Sequence, residues 1–285
     1  IINTSVGTNS DVGFINRATQ STIWYQYGEC EIAGIGNEGN TQTHASGKIS
    51  AEGETQTVEI EIEEEEEFLK IELWICRPDR VNIKIISPTG EESKDVGLGY
   101  YKKESGIFNF ENTTYAVFYV FPTSYSGQEF ITINLYNASP GIWKINLTGV
   151  YINSGCYNVY LPNRSLINQN TRFLEPDPFY TVNFPTVDRN IFTVGAYDMI
   201  NNSMWPPSSR GPNIRNIQKP NIVAPGVNIT SASPHNRYGN ITGTSAAAAV
   251  TSGVAALFLQ YVTQNNQYKR QGFTQSIYSF FQLGA

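Results

Sequence analysis

Alternation of apolar and polar residues is the clearest pattern in the middle of the chain. It is strict over residues 57–62 (Thr-Val-Glu-Ile-Glu-Ile) and resumes over residues 69–75 (Leu-Lys-Ile-Glu-Leu-Trp-Ile). A period of two is typical of a strand with one buried face. Further strands are predicted at residues 81–86, 115–121, 129–135, 141–148 and 156–161. Many short strands, separated by turns rich in Pro, Gly, Asn and Ser, predict a β-sandwich of the jelly-roll kind over residues 48–170.

The segments on either side of this sandwich follow the pattern of an α/β fold. Apolar strands are predicted at residues 1–7 and 31–35, with helical spacing over residues 11–26 between them. Strand, helix and strand without a hairpin indicate a right-handed parallel unit. Two strands and two helices follow, at residues 189–197, 221–224, 243–259 and 274–283. We therefore predict a parallel sheet with flanking helices, built from residues 1–47 and 171–285 and interrupted by the inserted sandwich.

Composition and charge exclude several classes of partner and cofactor. The net charge is -6, and no basic cluster is present to meet nucleic-acid phosphates. No apolar run reaches the roughly 18 residues of a membrane span. Cys30, Cys76 and Cys156 show neither metal-ligand spacing nor an even number, so we expect buried thiols and no metal or other cofactor. The acidic run at residues 63–67 lacks the spaced ligands of a calcium loop, which favours a solvated turn over a cation site.

The candidate chemistry begins at Gly243-Thr244-Ser245, which opens a helix made almost wholly of small residues. Small side chains let a helix axis lie close to a sheet, and the apolar residues 254–259 indicate that this helix is buried. At a helix N-terminus the backbone N–H groups are unpaired and the helix dipole favours developing negative charge. Ser245 is therefore either a nucleophile or an ordinary N-cap, and this stretch alone does not decide between the two.

Four segments resemble the subtilisin-like serine proteases, or subtilases, in the order and spacing typical of that family. They are residues 190–196, 208–212 (Ser-Ser-Arg-Gly-Pro), 219–227 (Lys-Pro-Asn-Ile-Val-Ala-Pro-Gly-Val) and 243–250. Residues 78–80, 86–90, 140–143 and 161–164 of the predicted insert, and residues 171–178 directly after it, resemble a clostridial and related group that includes the Csp spore-germination proteases. The resemblance implies a subtilisin-like α/β fold, incomplete here, with a jelly-roll insert.

The same resemblance implies the site residues. Ser245 matches the nucleophile, and Asn37 in Gly36-Asn37-Glu38-Gly39 matches the asparagine that donates an amide N–H to the oxyanion. Ser5, Val6 and Gly7 match the strand that binds the extended substrate backbone by strand addition. No metal or cofactor is implied. The family usually has Pro and His where this chain has Ala249 and Val250.

The other two members of a Ser-His-Asp triad are not found in the sequence. His44 and His235 match no catalytic-histidine motif, and we expect surface or structural roles for both. In the family the catalytic Asp and His precede the segment that corresponds to Ile1. We therefore expect these 285 residues to be one piece of a longer polypeptide, docked against its N-terminal portion or propeptide and inactive alone.

Three functions are compatible with these patterns. The favoured one is a serine endopeptidase that cleaves protein or peptide substrates through an acyl-enzyme, with processing of a spore-germination zymogen as the specific role that the resemblance suggests. The second is a pseudoprotease with a regulatory role in germination. The third is a carbohydrate- or protein-binding module on the sandwich, with Trp74, Tyr115, Phe118 and Trp143 as an aromatic platform, although alternating aromatic residues in strands are more often core. The location, spore-associated or secreted, stays open.

Overall fold

The computed structural model describes residues 1–5, 7, 30–97, 101–123, 127–188, 190–212, 217–265 and 273–283. The described strands are, in chain order, β1 (Ile2–Thr4), β2 (Glu31–Gly34), β3 (His44–Lys48), β4 (Thr55–Ile62), β5 (Glu66–Ile75), β6 (Arg80–Ile86), β7 (Tyr101–Phe108), β8 (Thr113–Val120), β9 (Glu129–Ala138), β10 (Gly141–Tyr151), β11 (Cys156–Tyr160), β12 (Arg172–Phe173), β13 (Phe192–Asp198), β14 (Ser203–Met204), β15 (Ile222–Pro225), β16 (Ile229–Ser233) and β17 (Arg237–Ile241). The described helices are α1 (Thr244–Gln264), α2 (Phe273–Leu283) and a 3-10 turn over Arg164–Leu166.

The chain divides into two compact units at boundaries slightly outside those predicted. One unit is Thr41–Pro178, and the other combines Ile1–Asn40 with Phe179–Ala285. The predicted boundaries were residues 47/48 and 170/171. The insert is longer on both sides because β3 pairs with β11, and β12 pairs with β4.

Two antiparallel sheets form the insert unit. The four-stranded sheet has the order β12-β4-β10-β6, and the six-stranded sheet has the order β3-β11-β5-β9-β8-β7. Alternating residues of both sheets join one hydrophobic core, as in Val58 and Ile60 of β4 and Leu69 and Ile71 of β5. This is the inward and outward alternation expected of a sandwich. The jelly-roll topology of this unit stays a prediction.

Three of the four aromatic residues considered as a binding platform belong to this core. Trp74 is 1% exposed, Tyr115 is 4% exposed and Trp143 is 1% exposed. Only Phe118, at 38%, lies on the surface. These four residues therefore do not form an exposed platform, which agrees with the expectation that alternating aromatic residues in strands are core.

The expectation of isolated thiols is wrong for two of the three cysteines. Cys76 and Cys156 form a disulfide, with their Cα atoms 5.5 Å apart. Cys76 directly follows β5 and Cys156 begins β11, and these two strands are neighbours in the six-stranded sheet. The pairing of the strands thus brings together two residues separated by 80 positions. Cys30 is a buried free thiol, and burial raises its pKa to about 12.

The second unit contains the predicted parallel sheet. Strands β1, β2, β13 and β15 run parallel, and the short β14 pairs antiparallel with β13. Helix α1 packs against this sheet through a face of small buried residues, which are Ala246, Ala247, Ala248, Thr251 and Ala255. The helix predicted over residues 11–26 lies outside the described residues. Because the strands are parallel, the residues that follow β1 and β2 lie at the same edge of the sheet.

Candidate active site

Ser245 lies in the first turn of α1, where it is exposed while the next three alanines are buried. The N-cap of the helix is Gly243, and no side chain caps the helix. Ser245 is therefore not the N-cap, which was the alternative left open by the sequence. Among the described residues, the Ser245 hydroxyl has no hydrogen-bond partner. The hydroxyl is thus presented to solvent at the positive end of a helix dipole.

Asn37 is held against the start of this helix through its side-chain oxygen. Its Oδ1 accepts hydrogen bonds from Thr244 N (3.1 Å) and Thr244 Oγ1 (3.0 Å). Thr244 Oγ1 also accepts from Gly36 N at 3.2 Å. Because a backbone N–H can only donate, the atom of Asn37 that faces Thr244 N must be the amide oxygen. The Nδ2 group is therefore left as a donor, and it has no partner among the residues that the structure describes.

Gly243 lacks a side chain at a position beside the Asn37 amide and the Ser245 backbone N–H. A Cβ atom at this position would lie 3.5 Å from Asn37 Nδ2, 3.7 Å from Asn37 Oδ1 and 3.9 Å from Ser245 N. The φ angle of Gly243 is +150°, which side-chain-bearing residues rarely adopt. Two N–H donors held beside one position are what a developing oxyanion requires. The structure thus brings the predicted Ser245 and Asn37 together.

The predicted substrate strand is described only in part. Ser5 is exposed and directly follows β1, while Val6 lies outside the described residues. A Cβ atom on Gly7 would lie 3.0 Å from Phe184 O and 3.3 Å from Asn183 Cβ. The absent side chain of Gly7 thus makes room for residues 183–184 of the same unit. The Asn183 side chain also abuts Gly36, so it lies between the predicted substrate strand and the segment that carries Asn37.

The two histidines of the chain lie in different surroundings. His44 is buried in the insert unit, where Nδ1 faces Asp177 O (3.0 Å) and Nε2 faces Asn158 Oδ1 (3.0 Å). The carbonyl oxygen can only accept, so Nδ1 carries the proton. His235 is exposed at the turn of the β16–β17 hairpin. In the described ranges no group of three or more His, Cys, Asp or Glu side chains is arranged to hold a metal ion.

A buried lysine hydrogen-bonds around the start of strand β13. Lys219 Nζ donates to Ile191 O (2.7 Å), Thr193 Oγ1 (2.9 Å) and Asn221 Oδ1 (3.2 Å). Burial lowers the pKa of Lys219 to about 7, and the charge of Asp188 opposes this shift. The sequence places Lys219 in a recognised segment but gives no indication that its side chain is buried.

Comparison with known proteins places the segment around Ser245 in a family model. Residues 163–276, which include Ser245, match the model of the subtilase family. The predicted resemblance to the subtilases is confirmed. Serine protease AprX of Bacillus subtilis (strain 168) is 37% identical over an alignment of 100 residues that covers 28% of this chain and 23% of that protein. The match thus spans only part of that serine protease.

The fold of nearly the whole chain is that of a solved Csp protease. The structure of the Clostridium perfringens CspB protease matches 99% of this chain with a TM-score of 0.85 and 24% sequence identity. The match covers 60% of that chain, so this chain spans less than two thirds of the CspB structure. At this identity the likeness establishes the fold, including the insert unit.

Proposed function

We propose that this chain carries the nucleophile and the oxyanion site of a subtilisin-type serine endopeptidase. Ser245 Oγ attacks the carbonyl carbon of a peptide bond, and the carbonyl oxygen becomes negative between Asn37 Nδ2 and Ser245 N. The C–N bond then breaks, the amine leaves with a proton, and water hydrolyses the acyl-enzyme on Ser245. The observation that carries the proposal is the position beside Gly243, where a Cβ atom would lie 3.5 Å from Asn37 Nδ2 and 3.9 Å from Ser245 N.

The proton of Ser245 needs a base, which we assign to the N-terminal portion of the same protease. His44 is hydrogen-bonded within the insert unit, and His235 is exposed at a hairpin turn. The solved CspB chain extends well beyond the part that this chain matches. In this proposal the catalytic His and Asp belong to such a further portion, and the 285 residues alone are inactive.

Helix α1 offers a surface for that portion. Residues 244–264 contain no Asp, Glu, Lys or Arg, and Val254, Leu257 and Tyr261 are 47%, 66% and 59% exposed. By length and composition this helix could also cross a membrane. However, its alanine face packs on the parallel sheet and its first turn carries Ser245. An apolar protein surface is therefore a better partner for the exposed face than lipid.

We propose a peptide in extended conformation as the substrate. Strand β1 ends the described parallel sheet on one side, and its backbone leads directly into Ser5 and Gly7. An exposed strand edge binds another chain through its main chain. A germination zymogen remains the specific substrate suggested by the Csp-type segments. The insert unit is proposed to have a structural or positioning role, because we identify no candidate catalytic residues in it.

A regulatory pseudoprotease is the second candidate, since neither His44 nor His235 matches a catalytic-histidine motif. Hydrolysis of a chromogenic peptide by the complete protein separates the two functions. Ser245→Ala should lower kcat by on the order of a million-fold, and loss of the asparagine donor by about a hundred- to a thousand-fold, which are the losses known for subtilisin. Absence of any Ser245-dependent hydrolysis in the complete protein would favour the pseudoprotease.

A further inference from the structure

Ser209 is a buried serine that hydrogen-bonds on both sides of Asn37. Its backbone N–H donates to Gly36 O at 2.9 Å, and its Oγ accepts from Glu38 N at 2.9 Å. The residue is 0% exposed. These two bonds hold the residues directly before and after Asn37. We propose that Ser209 is a positioning residue for the Asn37 amide, an inference that rests on the proposed oxyanion role of Asn37.

The backbone of Asn37 needs such a support because the side chain itself is exposed. Its Oδ1 is fixed by Thr244, so the position of Nδ2 depends on where residues 36–38 lie relative to α1. A displacement of about 1 Å in an active site costs roughly a hundred-fold in rate. A small movement of this segment would therefore move Nδ2 away from the space at Gly243.

Gly36 allows the close approach that this support requires. A Cβ atom at Gly36 would lie 2.8 Å from Ser209 Oγ and 2.6 Å from Asn183 Cγ. The φ angle of Gly36 is +117°, which also favours glycine. Ser209 thus packs directly against the backbone that leads into Asn37.

Ser208 provides a matched control for Ser209. It is also 0% exposed, and its Oγ accepts from a backbone N–H, that of Ala196 in β13, at 3.2 Å. Ser208→Ala and Ser209→Ala therefore remove the same hydroxyl group from adjacent, equally buried positions. Ser208→Ala removes the acceptor of the Ala196 N–H, and Ser209→Ala removes the acceptor of the Glu38 N–H. Only Ser209→Ala removes a bond beside Asn37. Similar losses of thermal stability are expected, but different effects on the site.

Steady-state hydrolysis of a chromogenic peptide by the complete protein tests the proposal. Ser209→Ala should lower kcat about ten-fold with KM changed less than about two-fold, because the Asn37 donor acts on the transition state. Ser208→Ala should leave kcat within about two-fold. In an Asn37→Ala background, Ser209→Ala should have no further effect on kcat, since coupled residues are not additive.

A second readout does not depend on activity. The side-chain amide signals of Asn37 in a nitrogen-15 NMR spectrum are identified by their loss in Asn37→Ala. They should shift or broaden in Ser209→Ala and stay unchanged in Ser208→Ala. If Ser209→Ala does not fold, Ser209→Cys should give the same pattern with smaller amplitude, because sulfur is a weaker acceptor.

The outcomes separate this inference from the proposed function. Equal kcat losses in the two serine variants, full additivity with Asn37→Ala, or unchanged Asn37 amide signals in the Ser209 variant would overturn the positioning role. Absence of Ser245-dependent hydrolysis in the wild-type protein would overturn the proposed function instead, and the Asn37 amide signals would then decide the positioning role by themselves.

Discussion

Substitution of Gly243 by alanine tests the oxyanion space most sharply. The added Cβ would lie 3.5 Å from Asn37 Nδ2 and 3.9 Å from Ser245 N. An oxyanion has to sit about 2.7–3.1 Å from its donors, so the methyl group and the oxyanion compete for the same volume. Loss of one donor costs about a hundred- to a thousand-fold in kcat, or roughly 2.7–4 kcal/mol, and we expect at least this loss for Gly243→Ala.

Backbone strain is the alternative cause of such a loss, and Gly90→Ala controls for it. The φ angle of Gly243 is +150° and that of Gly90 is +93°, so alanine is strained at both positions by about 1–3 kcal/mol. A Cβ on Gly90, however, would have nothing within 4 Å. We therefore expect Gly90→Ala to lower thermal stability but to retain kcat/KM on a chromogenic peptide. Activity of Gly243→Ala within about three-fold of wild type would refute the assignment of this space to the oxyanion.

Three further changes probe other parts of the structure. Replacing Cys76 and Cys156 by serine removes a crosslink between residues 80 positions apart. In the chain-entropy model this should lower the free energy of unfolding by about 4.5 kcal/mol. If a reductant left the denaturation curve of the wild type unchanged, the disulfide would not form. Lys219→Met removes three hydrogen bonds, to Ile191 O, Thr193 Oγ1 and Asn221 Oδ1, so thermal unfolding should occur at lower temperature. Because the pKa of Lys219 is lowered to about 7 in the folded protein, the unfolded chain binds one more proton than the folded chain above that pH. The free energy of unfolding of the wild type should therefore rise relative to that of Lys219→Met from pH 7 towards pH 10. A difference in unfolding free energy that does not change with pH would contradict this. His44→Ala should lower thermal stability, because the contacts with Asp177 and Asn158 are lost, but should leave kcat for peptide hydrolysis unchanged. A loss of kcat in the folded variant would indicate that His44 acts as the base for Ser245.

The elements that the sequence predicts well are those with one buried face. The alternation at residues 57–62 and 69–75 corresponds to β4 and β5, since a half-buried strand needs that pattern. Strand β7, which reads Tyr-Lys-Lys-Glu-Ser-Gly-Ile-Phe, was not predicted. It pairs only with β8 at the end of its sheet, and only Phe108 is buried. The β16–β17 hairpin was missed for a similar reason, because neither of its strands contains a buried residue.

In the site, too, the sequence predicts single residues from local motifs but not the contacts between residues far apart in the chain. Ser245 and Asn37 could be identified from local motifs. The bond from Thr244 to Asn37, the position of Asn183 and the support from Ser209 depend on contacts between residues far apart in the chain. Local sequence patterns do not predict such contacts. The Cys76–Cys156 disulfide was missed because it depends on the neighbouring positions of β5 and β11.

Covalent labelling of the complete protein tests the central claim, that Ser245 is the nucleophile, most directly. A fluorophosphonate probe reacts with an activated serine, and mass spectrometry of the digested protein identifies the modified residue. We predict that the label is found on Ser245, that it is absent from Ser245→Ala, and that Ser252, another serine of the same helix, is not modified. A hydrolytically active preparation that labels at a different residue, or that does not label at all, would contradict the account.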